Sequence, residues 1–193
     1  MNDIVQELRE GAELRLRVAE SHVSVLQSMI DCIWQSMEKG GKLLLCGNGG
    51  SAADAQHLAA ECIVRMQTDR DPLPAIALTT DTSVLTAAGN DYGFDTIFAR
   101  QLAGLGRAGD VLLSLSTSGN SRNVLLAVEE AKRRGIRNLA LLGNDGGQLA
   151  KLVDIALIVP SSNTQRIQEL HITIGHIICG ALERRAINAQ QSK

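Results

Sequence analysis

An imidazole and a carboxylate lie four residues apart in this sequence, at His57 and Glu61. Residues at this spacing are neighbours on one face of a helix. Together the two groups can bind a transition metal or exchange protons with a substrate. The pair closely follows a glycine-rich segment, residues 46–51, whose flexible backbone allows an anion to approach closely. The combination predicts chemistry on a phosphorylated small molecule.

Two segments have the composition of anion-binding loops. Residues 47–54 read Gly-Asn-Gly-Gly-Ser-Ala-Ala-Asp and lead into a helical pattern, whose first N–H groups can receive a phosphate or sugar hydroxyls. Residues 116–121 read Ser-Thr-Ser-Gly-Asn-Ser and offer four hydroxyls around one glycine before another helix. Either loop alone is equally well explained as a turn with a helix cap. Two of them at neighbouring strand ends favour a ligand.

Composition excludes several classes of function. Net charge is −2, and aromatic residues make up only 2% of the chain, so neither the basic stripe nor the stacking rings of a nucleic-acid-binding protein are present. The Walker phosphate-loop pattern is absent, which argues against nucleotide triphosphate hydrolysis. The G-x-G-x-x-A match at residues 47–52 lacks an acidic residue about 20 positions later, so a nicotinamide site is disfavoured.

The sequence also indicates a cytoplasmic protein without a membrane partner. No apolar run approaches the roughly 18 residues of a membrane span, and the N-terminal residues do not resemble a signal peptide. The four cysteines form no C-x-x-C pair, which favours small, reduced core residues over disulfides or a thiolate metal site. They are Cys32, Cys46, Cys62 and Cys179.

The N-terminal segment that precedes these motifs, residues 1–39, has apolar residues at spacings of three and four from Val5 to Met37. This pattern predicts a long N-terminal helix, or two, ended by Gly40 and Gly41. The apolar stripe is long enough to pack against another subunit. Packing within the chain explains it equally well.

Residues 40–186 alternate short apolar runs with helical segments, which predicts a single doubly wound α/β domain. We expect a three-layer αβα sandwich with a five-stranded parallel, flavodoxin-like sheet. The five strands are predicted at 42–46, 74–78, 111–116, 138–142 and 155–160. The last helix is predicted from about Asn163 to Arg185, and residues 187–193 form a polar, frayed tail. In such folds ligands bind beyond the carboxyl ends of the strands, which is where both loops fall.

Seven segments, in order, resemble the sugar isomerase (SIS) domain family, and within it the members that isomerise phosphorylated heptoses. The match extends from about Gly40 to Glu183 and is more specific than any one motif. The segments are 46–51, His57-x-x-x-Glu61, 90–94, 109–113, 116–121, 145–147 and 166–171. The resemblance implies conversion of D-sedoheptulose 7-phosphate to D-glycero-D-manno-heptose 7-phosphate, the first step towards nucleotide-activated heptose for surface glycans such as lipopolysaccharide.

The resemblance also implies a homotetramer with sites at subunit interfaces and one Zn²⁺ per subunit. The family's metal positions correspond here to His57, Glu61, Gln168 and His176. Its substrate positions correspond to Asn48, Gly49, Gly50, Ser51, Glu61, Asn90, Asp91, Ser116, Thr117, Ser118, Ser121 and Gln168. We expect Glu61 to act as the catalytic base and His176 as the acid. Of the remaining histidines, His171 is expected to be solvated on its helix.

Two alternatives remain open beside the enzyme. One relative in the superfamily is a non-catalytic tetramer that binds a replication initiator protein, and other members sense sugar phosphates as regulators. The non-catalytic relative lacks a carboxylate at the position of Glu61 and an imidazole at that of His176. This sequence has both, which favours an isomerase.

Overall fold

The computed structural model describes residues 2 to 191 and contains one five-stranded sheet, in which all strands are parallel and ordered β2-β1-β3-β4-β5. The strands are β1 (Leu43–Gly47), β2 (Ala75–Ala77), β3 (Val111–Ser116), β4 (Arg137–Leu142) and β5 (Ile155–Ile158). This is the flavodoxin-like order of a doubly wound fold. The predicted fold class is confirmed, and the predicted strand limits lie within two residues of the observed ones.

Eight α-helices cover the two faces of the sheet in the described part of the chain. They are α1 (Asn2–Ser21), α2 (Val23–Glu38), α3 (Gly50–Ile63), α4 (Thr82–Tyr92), α5 (Ile97–Leu105), α6 (Arg122–Arg133), α7 (Leu149–Leu152) and α8 (Thr164–Gln191), with one 3-10 turn at Phe94–Thr96. Within this part of the chain, no helix is both long enough and apolar enough to cross a membrane.

Strand side chains alternate between two apolar cores, as the pleat of a buried strand requires. In β1, Leu43 and Leu45 point into the core formed with α2, α3 and α8, whereas Leu44 and Cys46 point into the core formed with α5 and α6. The three-layer arrangement follows from this alternation. It fixes α3 and α8 on the same face, where they pack against each other.

The N-terminal stripe forms two helices that meet at His22. Leu14 and Val18 of α1 are buried against the chain's own core. Leu8 and Leu16, on the same helix, are 69% and 64% exposed. Packing within the chain therefore accounts for part of the stripe only, and an apolar face is left without a partner in the single chain.

The last helix is longer than predicted. The sequence predicted a frayed tail at residues 187–193, whereas α8 continues to Gln191. Alanine and glutamine are good helix formers, and neither glycine nor proline follows Asn188 to end the helix. Residues 192 and 193 lie outside the described residues.

The four cysteines are free thiols, and Cys46, Cys62 and Cys179 are buried as predicted. Burial raises the pKa of the Cys46 thiol to about 12, so this thiol stays protonated at neutral pH. Cys32 is half-buried on α2.

Candidate active site

The two glycine- and serine-rich loops lie side by side at the carboxyl edge of the sheet. β1 and β3 are hydrogen-bonded neighbours, with Gly47 in register with Leu115. The connection after β1 leads to α3 on one face, and the connection after β3 leads to α6 on the other. Strand order reverses at this point, which opens a crevice in which doubly wound proteins bind ligands.

Each glycine of the β1–α3 loop meets a different constraint. A Cβ on Gly47 would lie 2.8 Å from Ser51, and Gly49 has a φ of +55°, which favours glycine. Gly50 has no such φ; a Cβ there would lie 2.7 Å from Nε2 of Gln168 on α8. The loop is therefore shaped by its own turn at two positions and by the packing of α8 at the third.

The serine loop after β3, residues 116–121, is stabilised by hydrogen bonds from its backbone N–H groups to its own serine hydroxyls. Ser116 Oγ accepts a hydrogen bond from the N–H of Gly119 at 3.1 Å, and Ser118 Oγ accepts one from the N–H of Asn120 at 3.2 Å. Ser121 precedes α6 as its N-cap, yet its side chain makes no capping hydrogen bond. The first N–H groups of α6 thus remain available to an anion.

The loop between β4 and α7 supports the serine loop from behind. Gly119 packs so closely that a Cβ there would lie 2.0 Å from the carbonyl oxygen of Gly146. Asn144 has a φ of +54°, the only positive φ on a non-glycine residue among residues 2 to 191. Its Nδ2 donates a hydrogen bond of 2.9 Å to the carbonyl of Thr117. Asparagine tolerates this left-handed conformation better than most residues.

Three possible metal ligands converge between α3 and α8. His57 Nε2 lies 2.9 Å from His176 Nε2 and 3.4 Å from Glu61 Oε1. One ligand atom from each of the three residues lies within 4.8 Å of the others. The two rings meet edge to face, with centroids 5.1 Å apart. The helical spacing of His57 and Glu61 thus puts both side chains beside the imidazole of His176, which is 119 residues further along the chain than His57.

Glu61 of this cluster and Asp54, one turn before His57 on α3, each have a carboxylate oxygen that is buried and makes no hydrogen bond. These oxygens are Oδ2 of Asp54 and Oε2 of Glu61. Burial raises the pKa of Asp54, while the nearby His57 and His176 act in the opposite direction. Buried carboxylate oxygens without a partner are costly, so their presence beside two imidazoles suits a bound cation or a proton-transfer role.

The helices α3 and α8 run parallel and meet at successive positions. Gln168 lies against Gly50, His176 lies against His57, and the Sγ atoms of Cys62 and Cys179 are 3.9 Å apart. Gln168 is therefore on the α8 face that contacts α3, two helical turns before His176. Its role as a metal ligand stays a prediction.

Beyond the end of α3, Glu183 of α8 holds the following segment. Its carboxylate accepts hydrogen bonds from the backbone N–H groups of Met66, Gln67 and Thr68, at 2.9 to 3.1 Å. Although burial acts to raise it, these three hydrogen bonds lower the pKa of Glu183 below its ordinary value. The contact fixes how α8 is aligned along α3.

His171 is buried, so the prediction of a solvated side chain is wrong. It lies on the face of α8 that packs on the sheet, and its Nε2 is 3.1 Å from the carbonyl oxygen of Leu142. Its Nδ1 is buried without a partner. Burial lowers the pKa of His171 to about 4 and keeps the ring neutral.

Asn90 and Asp91 are exposed at the end of α4 and hydrogen-bond to each other, Nδ2 of Asn90 donating to Oδ1 of Asp91 at 2.8 Å. Among residues 2 to 191, neither makes a hydrogen bond to the serine loop or to the β1–α3 loop. Their part in substrate binding stays a prediction.

Sequence reasoning assigned no role to three polar residues beside the site. Asp54 lies one turn before His57, and this spacing of three could have marked it. Asn123 and Asn144 are linked to the loops only through long-range hydrogen bonds. Their positions in the sequence carry no signal of those contacts.

Comparison with known proteins assigns the family. The family model for the SIS domain matches residues 8–143. A phosphoheptose isomerase from Nitratiruptor is 52% identical over 184 residues, which cover 95% of this chain and 98% of that protein. The chain belongs to the phosphoheptose isomerase family. The family inferred from the seven sequence segments is thereby confirmed.

Solved structures of the same family support the fold in detail. The phosphoheptose isomerase from Neisseria gonorrhoeae is 44% identical, with a TM-score of 0.90 over 95% of this chain and 98% of the other. That from Francisella tularensis is 39% identical, with a TM-score of 0.92 over 95% and 97%. The alternatives of a scaffold or a sensing regulator are not favoured by these relatives.

Proposed function

We propose that this protein is an isomerase that converts D-sedoheptulose 7-phosphate to D-glycero-D-manno-heptose 7-phosphate. The observation that carries the proposal is the convergence of His57, Glu61 and His176 beside two anion loops, in a chain of the phosphoheptose isomerase family. The reaction would be the first step towards nucleotide-activated heptose for surface glycans such as lipopolysaccharide, and would take place in the cytoplasm.

Aldose–ketose isomerisation moves a proton between C1 and C2 of the sugar through an enediol. Glu61 takes the proton from C1 of the ketose and returns it to C2. His176 exchanges a proton with the sugar oxygens at the same two carbons. Oε1 of Glu61 faces His57 while Oε2 is buried and unpartnered, so one carboxylate has two oxygens in different surroundings. We assign proton transfer to Oε2, the oxygen that makes no hydrogen bond within the described residues.

One Zn²⁺ per subunit would be held by His57, Glu61, Gln168 and His176. Imidazole nitrogens and carboxylate oxygens are ordinary zinc ligands, and the proximity of three ligand atoms fits such an ion. Oε1 of Glu61, which faces His57, is the oxygen that would bind the ion. When bound, the ion would supply Lewis-acid stabilisation of charge that develops on the sugar oxygens.

The phosphate, remote from the reacting carbons, would bind the serine loop and the open N–H groups of α6. Ser116, Thr117, Ser118 and Ser121 supply hydroxyls, and a rigid phosphate site uses binding energy to position C1 and C2. Residues 48–51, together with Asn90 and Asp91, would bind the sugar hydroxyls.

A homotetramer with sites at subunit interfaces is the assembly we propose. Leu8 and Leu16 of α1 and Val23 of α2 are 63% to 69% exposed, which leaves an apolar face that a second copy of the chain can cover. Ile177, next to His176, is 46% exposed. Covering this residue would bring a neighbouring subunit to the edge of the site.

The decisive experiment incubates the purified protein with sedoheptulose 7-phosphate and follows the aldose by NMR. We expect aldose to form, activity to be lost with a chelator, and activity to return when Zn²⁺ is added. Absence of aldose from zinc-loaded protein would refute the isomerase. Full activity after exhaustive chelation, with no metal left by elemental analysis, would refute the metal requirement alone.

A further inference from the structure

Two asparagine side chains join the loop after β1 to the first turn of α6. Asn48 Nδ2 donates to Asn123 Oδ1, and Asn123 Nδ2 donates to Asn48 Oδ1, both at 2.8 Å. The residues are 75 positions apart in sequence. The reciprocal pair therefore links the two segments across the crevice between β1 and β3.

The two asparagines differ in their access to that site. Asn123 is 2% exposed. Asn48 is half-buried on the loop that we propose binds the sugar hydroxyls. It also lines a small, mostly apolar pocket of about 170 Å³ with Ala52, Leu85 and Phe94. Of the two asparagines, only Asn48 is open to a ligand.

The pairing restricts what Asn48 can present. A carboxamide has two N–H donors and two acceptor lone pairs, and the reciprocal pair uses one of each. Asn48 keeps one donor and one acceptor, in a plane fixed by Asn123. A free asparagine side chain rotates broadly about its last torsion, so without the pair this plane would not be set.

We propose that Asn123 is a positioning residue for the isomerase reaction: it holds the carboxamide of Asn48 with one N–H and one lone pair turned towards a sugar hydroxyl. A hydroxyl both donates and accepts, so it matches that remaining pair of groups. The inference rests on the proposed function and adds to it a residue that does not itself touch the substrate.

A double-mutant cycle tests this inference. The proteins are Asn48→Ala, Asn123→Ala and the double variant, each measured for kcat, KM and Tm. We expect Asn123→Ala to raise KM about tenfold, the effect of losing one well-oriented hydrogen bond, with a smaller change in kcat. In the Asn48→Ala background the same substitution should leave KM unchanged, because nothing is left to position.

Asn138→Ala is the matched control. Asn138 is fully buried on β4 at the amino end of the strand, and its Nδ2 donates to the carbonyl of Ile136. Removing this buried carboxamide should lower Tm and leave KM unchanged. If Asn123→Ala does not fold, Asn123→Ser is a neutral replacement whose side chain is too short for the reciprocal pair, and it should raise KM by about the same factor.

The outcomes separate this inference from the proposed function. Equal effects of Asn123→Ala on KM with and without Asn48 would overturn the positioning role, as would a lowered Tm with unchanged KM. An inactive wild-type protein would overturn the proposed function and this inference together. An active wild type with additive effects would overturn this inference alone.

Discussion

The serine loop and the histidine cluster are held in place by different means. Backbone packing shapes the loop, since Gly119 lies against Gly146 with no room for a Cβ. The cluster is held by side chains from α3 and α8, and the imidazole of His57 is 49% exposed. The shape of the loop is set by its own packing, whereas the cluster groups nitrogen and oxygen lone pairs that we propose bind a cation. The serine loop should therefore be sensitive to substitutions that add volume, and the histidine cluster to substitutions that change its nitrogen and oxygen ligand atoms.

The largest effect is expected from Glu61→Gln. This substitution keeps the shape of the cluster and removes the proposed base, so kcat should fall about 1000-fold. Steady-state kinetics would measure it, with metal content determined in parallel. Glu129→Gln, an exposed glutamate of α6, is the control and should behave as wild type. Retained activity in Glu61→Gln would refute the choice of base.

Gly119→Ala should break the loop while leaving the chemistry of the cluster intact. The added Cβ meets a backbone carbonyl at 2.0 Å, at a φ of +65°, so we expect a loss of about 3 kcal/mol in the free energy of unfolding. Gly40→Ala has a similar φ with open space around it and should cost only about 1 kcal/mol. Urea unfolding compares the two. Equal losses would show that strain alone, rather than packing against Gly146, governs the loop.

His171, buried on the side of α8 that packs on the sheet, should affect stability through its charge and leave metal binding unchanged. Its folded pKa of about 4 is below the ordinary value of 6.5, so the unfolded chain takes up a proton first as pH falls. The free energy of unfolding therefore decreases as pH falls from 6.5 towards 4. Between pH 7 and pH 5 this residue should lower it by about 2 kcal/mol. Urea unfolding of wild type and His171→Gln at both values measures the difference. The prediction is contradicted if wild type loses no more free energy of unfolding between pH 7 and pH 5 than His171→Gln does.

The smallest effect is expected from Gly50→Ala. The Cβ would displace the end of the flexible Gln168 side chain, and alanine is a better helix former than glycine. We expect unchanged or slightly higher Tm with about tenfold weaker zinc binding, the scale of disturbed metal-site support. Gly104→Ala in α5, with nothing near the new Cβ, should leave zinc affinity unchanged. Unaltered affinity in Gly50→Ala would remove the support for Gln168 as a ligand.

Local pattern was sufficient to predict the fold. Buried parallel strands produce continuous apolar runs and glycines mark their ends, so strand limits could be inferred closely. The same reasoning correctly predicted that His57 and Glu61 lie on one face of a helix. It was wrong for His171 because the sheet-facing side of α8 is set by how that helix docks, which no spacing within the helix reveals.

The remaining parts of the site depend on contacts between distant segments. Asn123 and Asn144 act on loops that lie 75 and 27 residues away, respectively. A polar residue in a helix start or a turn has many local explanations, so its sequence gives no reason to choose a distant partner. Asp54 was closer to being predictable, since it shares a helical face with His57. Its orphaned oxygen is visible only in three dimensions.

The docking of α8 along α3 has a consequence for the order in which the site forms during folding. Both anion loops come from β1, β3 and the helices that follow them, and the residues that support the serine loop extend to Gly146, so both loops can form once residues up to β5 are in place. His57 must wait for His176, which lies 119 residues further along the chain. Contacts of such long sequence separation close late, because the entropy of a large loop must be overcome first. During synthesis, a chain that ends at β5 would already contain both loops and still lack half of the proposed metal centre.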